Sequence, residues 1–263
     1  MQIVALLTDF GLRDNFAGVI KGVILNINPQ AQIVDISHNV ANHNIREGAF
    51  LLLASFVYFP KGTIFVAVID PGVGSLRNPI AIKTKNYFFV GPDNGVLYLA
   101  AARDGIKERV VLENKKFFLK NISSTFHGRD IFAPVAAYLS KNTSFLSLGK
   151  PARSIKEIVL PSPKIEKVSL EGEIIYVDNF GNLITNMQKE CFTDFTKGRF
   201  VATLNNKMVS KLYSCYAQAQ PDEPFFVESG FGYLEIALKD KSAEKYFGLR
   251  GLKGQKLIIK RVL

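Results

Sequence analysis

The run VAVIDPGVGSLR, Val66 to Arg77, constrains the fold of this chain more than any other stretch. It reads as a buried strand, Ile64 to Ile69, that stops at an acid, Asp70. Pro71, Gly72 and Gly74 follow, and a cation, Arg77, stands seven residues beyond the acid. An apolar run that ends in an acid and a glycine turn puts the acid at the carboxyl end of a sheet strand, where open α/β sheets bind their ligands. The alternative is a plain β-turn in which Asp70 bonds only its own backbone, since Asp-Pro and Gly are ordinary turn residues.

The neighbouring sequence extends this pattern. IVALLTDF (Ile3 to Phe10) is a strand ending in Thr8, Asp9 and Gly11. Phe16, Val19, Ile20, Val23 and Ile24 then follow the three-four spacing of an amphipathic helix over Phe16 to Asn26, with Pro29 beyond its end. Gln32 to Ile36 is a short second strand. Ile45 to Phe59 is expected to be a mostly buried helix, stopped by Pro60 and Gly62. Strands alternating with helices predict parallel βαβ units with right-handed crossovers. Ile80 to Lys83 and Tyr87 to Val90 read as a strand pair, GPDNG (Gly91 to Gly95) as a turn, and Val96 to Ala102 as a helix. FHGRDIFAPVAAYLS (Phe126 to Ser140) enters a further helix with Pro134 in an early turn.

The texture changes after LPSPK, Leu160 to Lys164, which reads as a linker. Short alternating runs follow at Glu173 to Val177, Arg199 to Leu204, Phe225 to Glu228, Tyr233 to Leu238 and Lys256 to Val262, separated by Gly, Asn and Asp. The expected organisation is therefore an α/β domain over residues 1–160, Rossmann-like with a mainly parallel sheet, and a smaller all-β barrel domain over 165–263.

Composition narrows the function classes. Apolar residues make up 48% and charged residues 21%, which argues against wholesale disorder. No apolar run reaches the ~18 residues that span a bilayer, so no membrane association is expected. MQIVALLTDF lacks a basic start and meets Asp9 early, so it reads as a strand and not as a signal peptide. Cys191 and Cys215 form no CxxC pair, which makes structural zinc improbable and a reduced, cytoplasmic setting the default. The net charge of +10 raises the question of nucleic acid. The excess is spread over both halves, however, and its densest spot is only Lys115, Lys116 and Lys120. A solvated basic surface accounts for it better.

Three acids fall at strand ends: Asp9, Asp70 and Asp178. Neither GxGxxG nor GxxxxGK[ST] is present, which counts against nicotinamide cofactors and nucleoside triphosphates. Each acid alone is as well explained as a turn or cap residue. His38 and His43 lie in a polar loop after the second strand. His127 stands at a loop-to-helix junction, where a histidine can carry a proton near neutral pH, although a lone histidine is more often a surface or core residue. No histidine and acid spacing matches a metal site. In DNFGN, Asp178 to Asn182, a hairpin turn explains Asn and Gly but not Phe180. An exposed ring beside Asp178 and Asn182 would suit a purine.

Taken together, TDFG, DISHNV, VIDPGVGS with Arg77 behind it, GPDNG, TFHGRDIFAP, VDNFGNLITN and GYLEIA run in one order from Thr8 to about Ala237. That ordered set resembles the S-adenosyl-L-methionine hydroxide adenosyltransferases, which are related to the fluorinase and chlorinase enzymes. The resemblance implies an amino-terminal α/β domain, a carboxyl-terminal β-barrel, and a homotrimer whose sites lie between one subunit's first domain and a neighbour's second. It also implies attack of water or hydroxide at C5′ of S-adenosyl-L-methionine, which is then the substrate, with no cofactor. The family's water-handling Asp-Arg-His set matches Asp70, Arg77 and His127. Asp9 matches the acid that holds the ribose hydroxyls, Asp178 the acid facing the methionine amine, and Phe180 and Asn182 the adenine contacts. Gly128 and Ser229 complete the expected substrate contacts. Relatives usually carry the carboxylate-binding serine at the position of Gly230, so adjacent Ser229 is the residue expected to replace it. His43 stands where relatives place an aromatic or amide side chain near the ribose.

The same comparison separates water from halide as nucleophile. The halogenases carry Tyr and Thr where Asp70 and Val73 stand, and the fluorinase has a serine at the position of Gly128. A carboxylate at position 70 repels halide in a dry site. Halide-dependent adenosyl transfer and a non-catalytic nucleoside-binding protein are the alternatives to hydrolysis. A nucleic-acid-binding barrel would need aromatics interleaved with Lys or Arg, whereas Phe225, Phe226 and Phe231 have Asp222, Glu223 and Glu228 around them.

Overall fold

The computed structural model describes residues 2–249, 251 and 255–262. The chain divides into two compact units, Met1–Val159 and Leu160–Leu263.

The first unit is built on seven strands: β1 Ile3–Thr8, β2 Gln32–Ser37, β3 Ile64–Val68, β4 Pro79–Thr84, β5 Phe88–Pro92, β6 Ile106–Leu112 and β7 Gly149–Pro151. Its α-helices are α1 Phe16–Ile27, α2 Ile45–Ser55, α3 Tyr98–Asp104 and α4 Ala133–Leu139. The sheet order is β2-β1-β3-β5-β4-β6-β7. β2, β1, β3 and β5 pair in parallel, as the alternation of strands and helices predicts, and β4, β6 and β7 add an antiparallel edge. Val4, Leu6, Ile64, Val66 and Val68 pack with Ile20 and Ile24 of α1 and with Ala133 and Ala136 of α4 in one core. Side chains alternate across a strand, so Ala5, Leu7, Phe65 and Ala67, all buried, serve the other face. There Phe65 stacks on Phe89, and Phe56, just past α2, meets Phe89 edge-on.

The chain leaves β1 for β2 on one side and then crosses to β3 on the other. The carboxyl ends of β1 and β3 therefore flank a topological switch point, which is where an open α/β sheet forms its crevice. Asp9 follows the first of these strands and Asp70 the second.

The second unit contains β8 Lys164–Ile165, β9 Ser169–Val177, β10 Leu183–Thr185, β11 Phe200–Leu204, β12 Lys207–Val209, β13 Phe225–Glu228, β14 Leu234–Ala237 and β15 Lys256–Arg261. They form one antiparallel sheet, nearly a barrel, in the order β12-β11-β15-β9-β10-β14-β13, with β8 on β9. Two short helices, α5 Lys189–Thr196 and α6 Ala243–Phe247, accompany it. Inward positions carry the core: Phe192, Phe200, Phe226, Ile236, Leu257 and Ile259 are buried together. Among the described residues no helix is long and apolar enough to cross a membrane.

Local differences from the sequence expectation have identifiable causes. The helix expected over Ile45 to Phe59 ends at Ser55 and continues as a 3-10 turn, Phe56–Tyr58. Tertiary packing of Phe56 on Phe89 and Tyr87 decides the path there. The helix expected from Phe126 opens instead with a π-turn, Gly128–Phe132, before α4. Such wide turns recur at functional sites.

Candidate active site

In the first unit, Asp9, Asp70, His127 and Gly128 line one cavity of about 340 Å³ together with Phe10, Phe16, His43, Val68 and Val73. Arg77 stands behind Asp70. Its Nε donates to Asp70 Oδ1 at 3.0 Å and to Oδ2 at 3.1 Å, and its Nη2 lies 2.5 Å from Oδ2. Both side chains are almost fully buried, at 9% and 6% exposed. An ion pair that deep keeps its strength because water does not screen it. The plain-turn alternative for Asp70 is thus not what the fold uses: the carboxylate turns to Arg77.

The same Nη2 lies 2.8 Å from His127 Nδ1. A guanidinium can only donate, so Nδ1 is the acceptor and the ring proton sits on Nε2. Burial holds the His127 pKa below its ordinary value, and the positive charge of Arg77 depresses it further. His127 is therefore neutral near pH 7 and offers an N–H, not a lone pair, on its other edge. The Arg77 guanidinium also lies over the Phe132 ring, 5.3 Å from its centroid.

Backbone geometry brings these groups together. Gly74 has φ +77°, and a Cβ there would fall on the carbonyl of Ser124. Only glycine lets the turn after Asp70 lie against residues 123–125. At Gly72 a Cβ would meet Ser75 Oγ at 3.3 Å and Arg77 Cγ at 3.4 Å. The glycine makes room for Arg77. Asn94 of GPDNG donates from Nδ2 to the Ile69 carbonyl at 2.8 Å, tying down the strand end that carries Asp70. Asp130, fully buried in the π-turn, accepts from Ser123 N and Oγ at 2.8 Å each and from Arg129. That network fixes the segment ahead of His127.

Asp9 accepts at Oδ2 from the backbone N–H of His43 at 2.9 Å. His43 has φ +65°, a left-handed conformation in which the loop 39–44 turns back over the end of β1. The loop is braced by Glu47, which accepts from Ala41 N and Asn44 Nδ2, while Asn44 caps α2 through Glu47 N. Burial pushes the Glu47 carboxyl upward. The Asn44–Glu47 spacing is a capping-box signature that sequence reading passed over. Phe126 meets Phe10 and Phe16 edge-on at 5.6 and 5.2 Å, Phe10 and Phe16 lie tilted at 5.9 Å, and the three form an apolar wall. Gly128 faces it: a Cβ there would come within 3.2 Å of Phe10.

In the second unit, Phe180 and Asn182 line a larger cleft of about 760 Å³ with Tyr216, Leu238 and Ser242. Phe180 is 76% exposed, as its place in a turn implies. Asp178 does act as the turn acid: Oδ1 accepts from the backbone of Phe180 and Asn182, and Oδ2 from Asn182 Nδ2. Gly181, at φ +83°, closes that turn. Ser229 is buried and its Oγ accepts from Phe231 N at 3.2 Å, which makes it the organiser of its own turn. Neither Asp178 nor Ser229 lines the cleft. Sequence reading missed the pairing of half-exposed Tyr216 with buried Glu235, in which the Tyr216 hydroxyl donates to the Glu235 carboxylate. Burial raises both groups, and the nearby charge of Asp178 adds to the rise at Glu235. Among the described residues no cluster of three or more His, Cys, Asp or Glu could hold a metal ion.

A mainly parallel α/β unit with a carboxylate, a guanidinium and an imidazole at its switch point, followed by an antiparallel unit with an aromatic-lined cleft, defines a two-part, small-molecule-binding class of protein. The chain belongs to the SAM hydroxide adenosyltransferase family: the family's N-terminal domain matches residues 4–149 and its C-terminal domain residues 172–254. It is 41% identical over 195 residues to the (R)-S-adenosyl-L-methionine hydrolase of Methanocaldococcus jannaschii, covering 72% of this chain and 68% of that one. It is 31% identical to the enzyme of the same name from Thermus thermophilus, over 95% of this chain and 97% of that one. A fluorinase of Actinoplanes is 27% identical over 74% of each. The crystal structure of a conserved protein from Thermotoga maritima superposes with a TM-score of 0.91 at 35% identity, over 98% of this chain and 100% of that one.

Proposed function

We propose that this protein hydrolyses S-adenosyl-L-methionine to adenosine and L-methionine by in-line attack of water at C5′. The observation that carries this reading is the Asp70–Arg77–His127 cluster, whose acid and imidazole line the first unit's cavity, in a chain of this family. The names of relatives at 31% to 41% identity support the reaction class.

The chemistry fits the groups available. Water contributes a lone pair to C5′, the C5′–S bond breaks, and its electrons pass to sulfur, so methionine leaves as a neutral thioether. Discharging a sulfonium needs little acid catalysis. The protein must orient the nucleophile in line and exclude competing solvent. Arg77 occupies one edge of the Asp70 carboxylate, leaving its other lone pairs to take a water hydrogen. His127 Nε2–H is then a donor that aims the water oxygen, and the proton released by attack passes to Asp70 and on to solvent. His127 is not the base in this scheme, because its Nδ1 is committed to Arg77. A halide nucleophile would meet the Asp70 charge, which disfavours it.

Asp9 is assigned to the ribose hydroxyls, with His43 and Gly128 beside it. Phe180 and Asn182 are assigned to the adenine, the ring by stacking and the amide by hydrogen bonding. Asp178 and Ser229 are assigned to the methionine amine and carboxylate. S-adenosyl-L-methionine is the substrate and no separate cofactor enters. The homotrimer, with sites completed by a neighbouring subunit, rests on the family resemblance. A cytoplasmic location rests on two cysteines that are free among the described residues. Incubation with S-adenosylmethionine, with and without chloride, tests the reading: adenosine should appear in both. No adenosine, or undiminished activity in Asp70→Ala, would end it.

A further inference from the structure

The loop after β2 is laced to the end of β1 at four points. Gly11 N donates to the His38 carbonyl at 2.7 Å, Val40 N to the Thr8 carbonyl at 3.3 Å, and His43 N to Asp9 Oδ2 at 2.9 Å. The fourth joins two buried side chains, Thr8 Oγ1 and His38 Nδ1, at 2.8 Å. Thr8 is 0% and His38 3% exposed, so neither reaches a ligand.

The direction of this last bond follows from its neighbours. Thr8 Oγ1 already accepts from Phe10 N at 3.2 Å, so its single hydrogen is free to donate. On the far side of the ring, His38 Nε2 lies 3.1 Å from Asp35 Oδ1, an ion-pair distance at an angle too poor for a well-formed hydrogen bond. The carboxylate favours the ring proton on that nitrogen. Asp35 is itself held by Lys21 of α1 at 2.5 Å. Reading inward, Lys21 donates to Asp35, the His38 Nε2–H faces Asp35, the Thr8 hydroxyl donates to His38 Nδ1, and Phe10 N donates to Thr8. The chain begins at a half-exposed lysine and ends at the backbone on either side of Asp9.

We infer that His38, acting through Thr8, is a positioning residue for Asp9: it sets the turn Thr8–Gly11 so that the Asp9 carboxylate faces a vicinal diol of the bound nucleoside. This rests on the ribose assignment proposed for Asp9. One Asp9 oxygen is spent on His43 N, so a diol must be met by the other oxygen and by the outer lone pairs of the first. A shift of a few tenths of an ångström at this turn changes that fit. Loss of the Thr8–His38 bond leaves the Thr8 hydroxyl, which receives the Phe10 amide, without the partner that orients it, whereas the sheet register of β1 with β2 and β3 is kept by its own ladder.

Binding of adenosine and of 2′,3′-dideoxyadenosine, measured by calorimetry on the full-length protein, tests the inference. The wild type should bind adenosine at least tenfold more tightly. Thr8→Val, which keeps side-chain volume, and His38→Ala should lose most of that ratio by weakening adenosine alone. His38→Asn, which retains an acceptor near Nδ1, should restore it. A wild-type ratio in Thr8→Val, or parallel loss of both nucleosides, would overturn the role of His38 while leaving the ribose assignment standing. Equal binding of the two nucleosides by the wild type would overturn the assignment and the inference together. Should His38→Ala fail to fold, Thr8→Val decides.

Discussion

Arg77 reaches His127 with the same Nη2 that it gives to Asp70, at 2.8 Å and 2.5 Å. One nitrogen thereby ties the protonation state of the histidine to the charge of the acid. Arg77 neutralises Asp70, fixes the His127 tautomer and rests on Phe132, all without lining the cavity.

Removing the acid should remove chemistry before binding. Asp70→Asn is expected to lower kcat by about 10²–10⁴ while KM changes little, since the proton acceptor is lost but the nucleoside contacts remain. Steady-state kinetics check it.

Removing the cation should cost stability as well. Arg77→Ala strands a carboxylate that is 6% exposed, which destabilises by about 3–5 kcal/mol. Urea titrations should show that loss, and the double variant Asp70→Asn/Arg77→Ala should recover part of it because no charge is left unpaired.

The pH profile follows from the tautomer. A histidine whose folded pKa is depressed carries a stability cost at acid pH: the unfolded state protonates first, so stability from this group falls as pH drops below 6.5. Catalysis should be level above that pH and decline on the acid side, because protonating Nδ1 breaks the contact with Arg77. His127→Gln should flatten the acid limb at reduced kcat.

Phe180 should matter to affinity and not to folding. Its ring is largely exposed, so Phe180→Ala is expected to leave thermal stability within about 0.5 kcal/mol. The loss of base stacking, about 1–3 kcal/mol, should raise KM by roughly five- to 150-fold.

What the sequence disclosed, and what it withheld, divide along chain separation. The strands that end at Asp9 and Asp70 are local apolar runs, and their acids were legible as candidates. DNFGN was legible as a turn with an anomalous ring, and the ring is exposed. The partnership of Arg77 with His127 spans 50 residues, and no local pattern encodes it; only the family motifs brought the two together. Thr8 with His38 and Tyr216 with Glu235 are likewise long-range pairs, and each polar residue looks unremarkable beside its own neighbours. The helix α5 inside the antiparallel unit was hidden because KECFTDFT carries just two strong apolar anchors, Phe192 and Phe195. The π-turn at Gly128 was hidden because its extra residue is stabilised by Asp130 reaching Ser123, a contact outside helical periodicity.

Oxygen labelling is the direct test of nucleophilic attack by water at C5′. Purified protein given S-adenosylmethionine in H₂¹⁸O should release adenosine with one ¹⁸O at the 5′-hydroxyl and methionine without label. Absence of adenosine, or adenosine whose 5′ oxygen is unlabelled, would contradict the account.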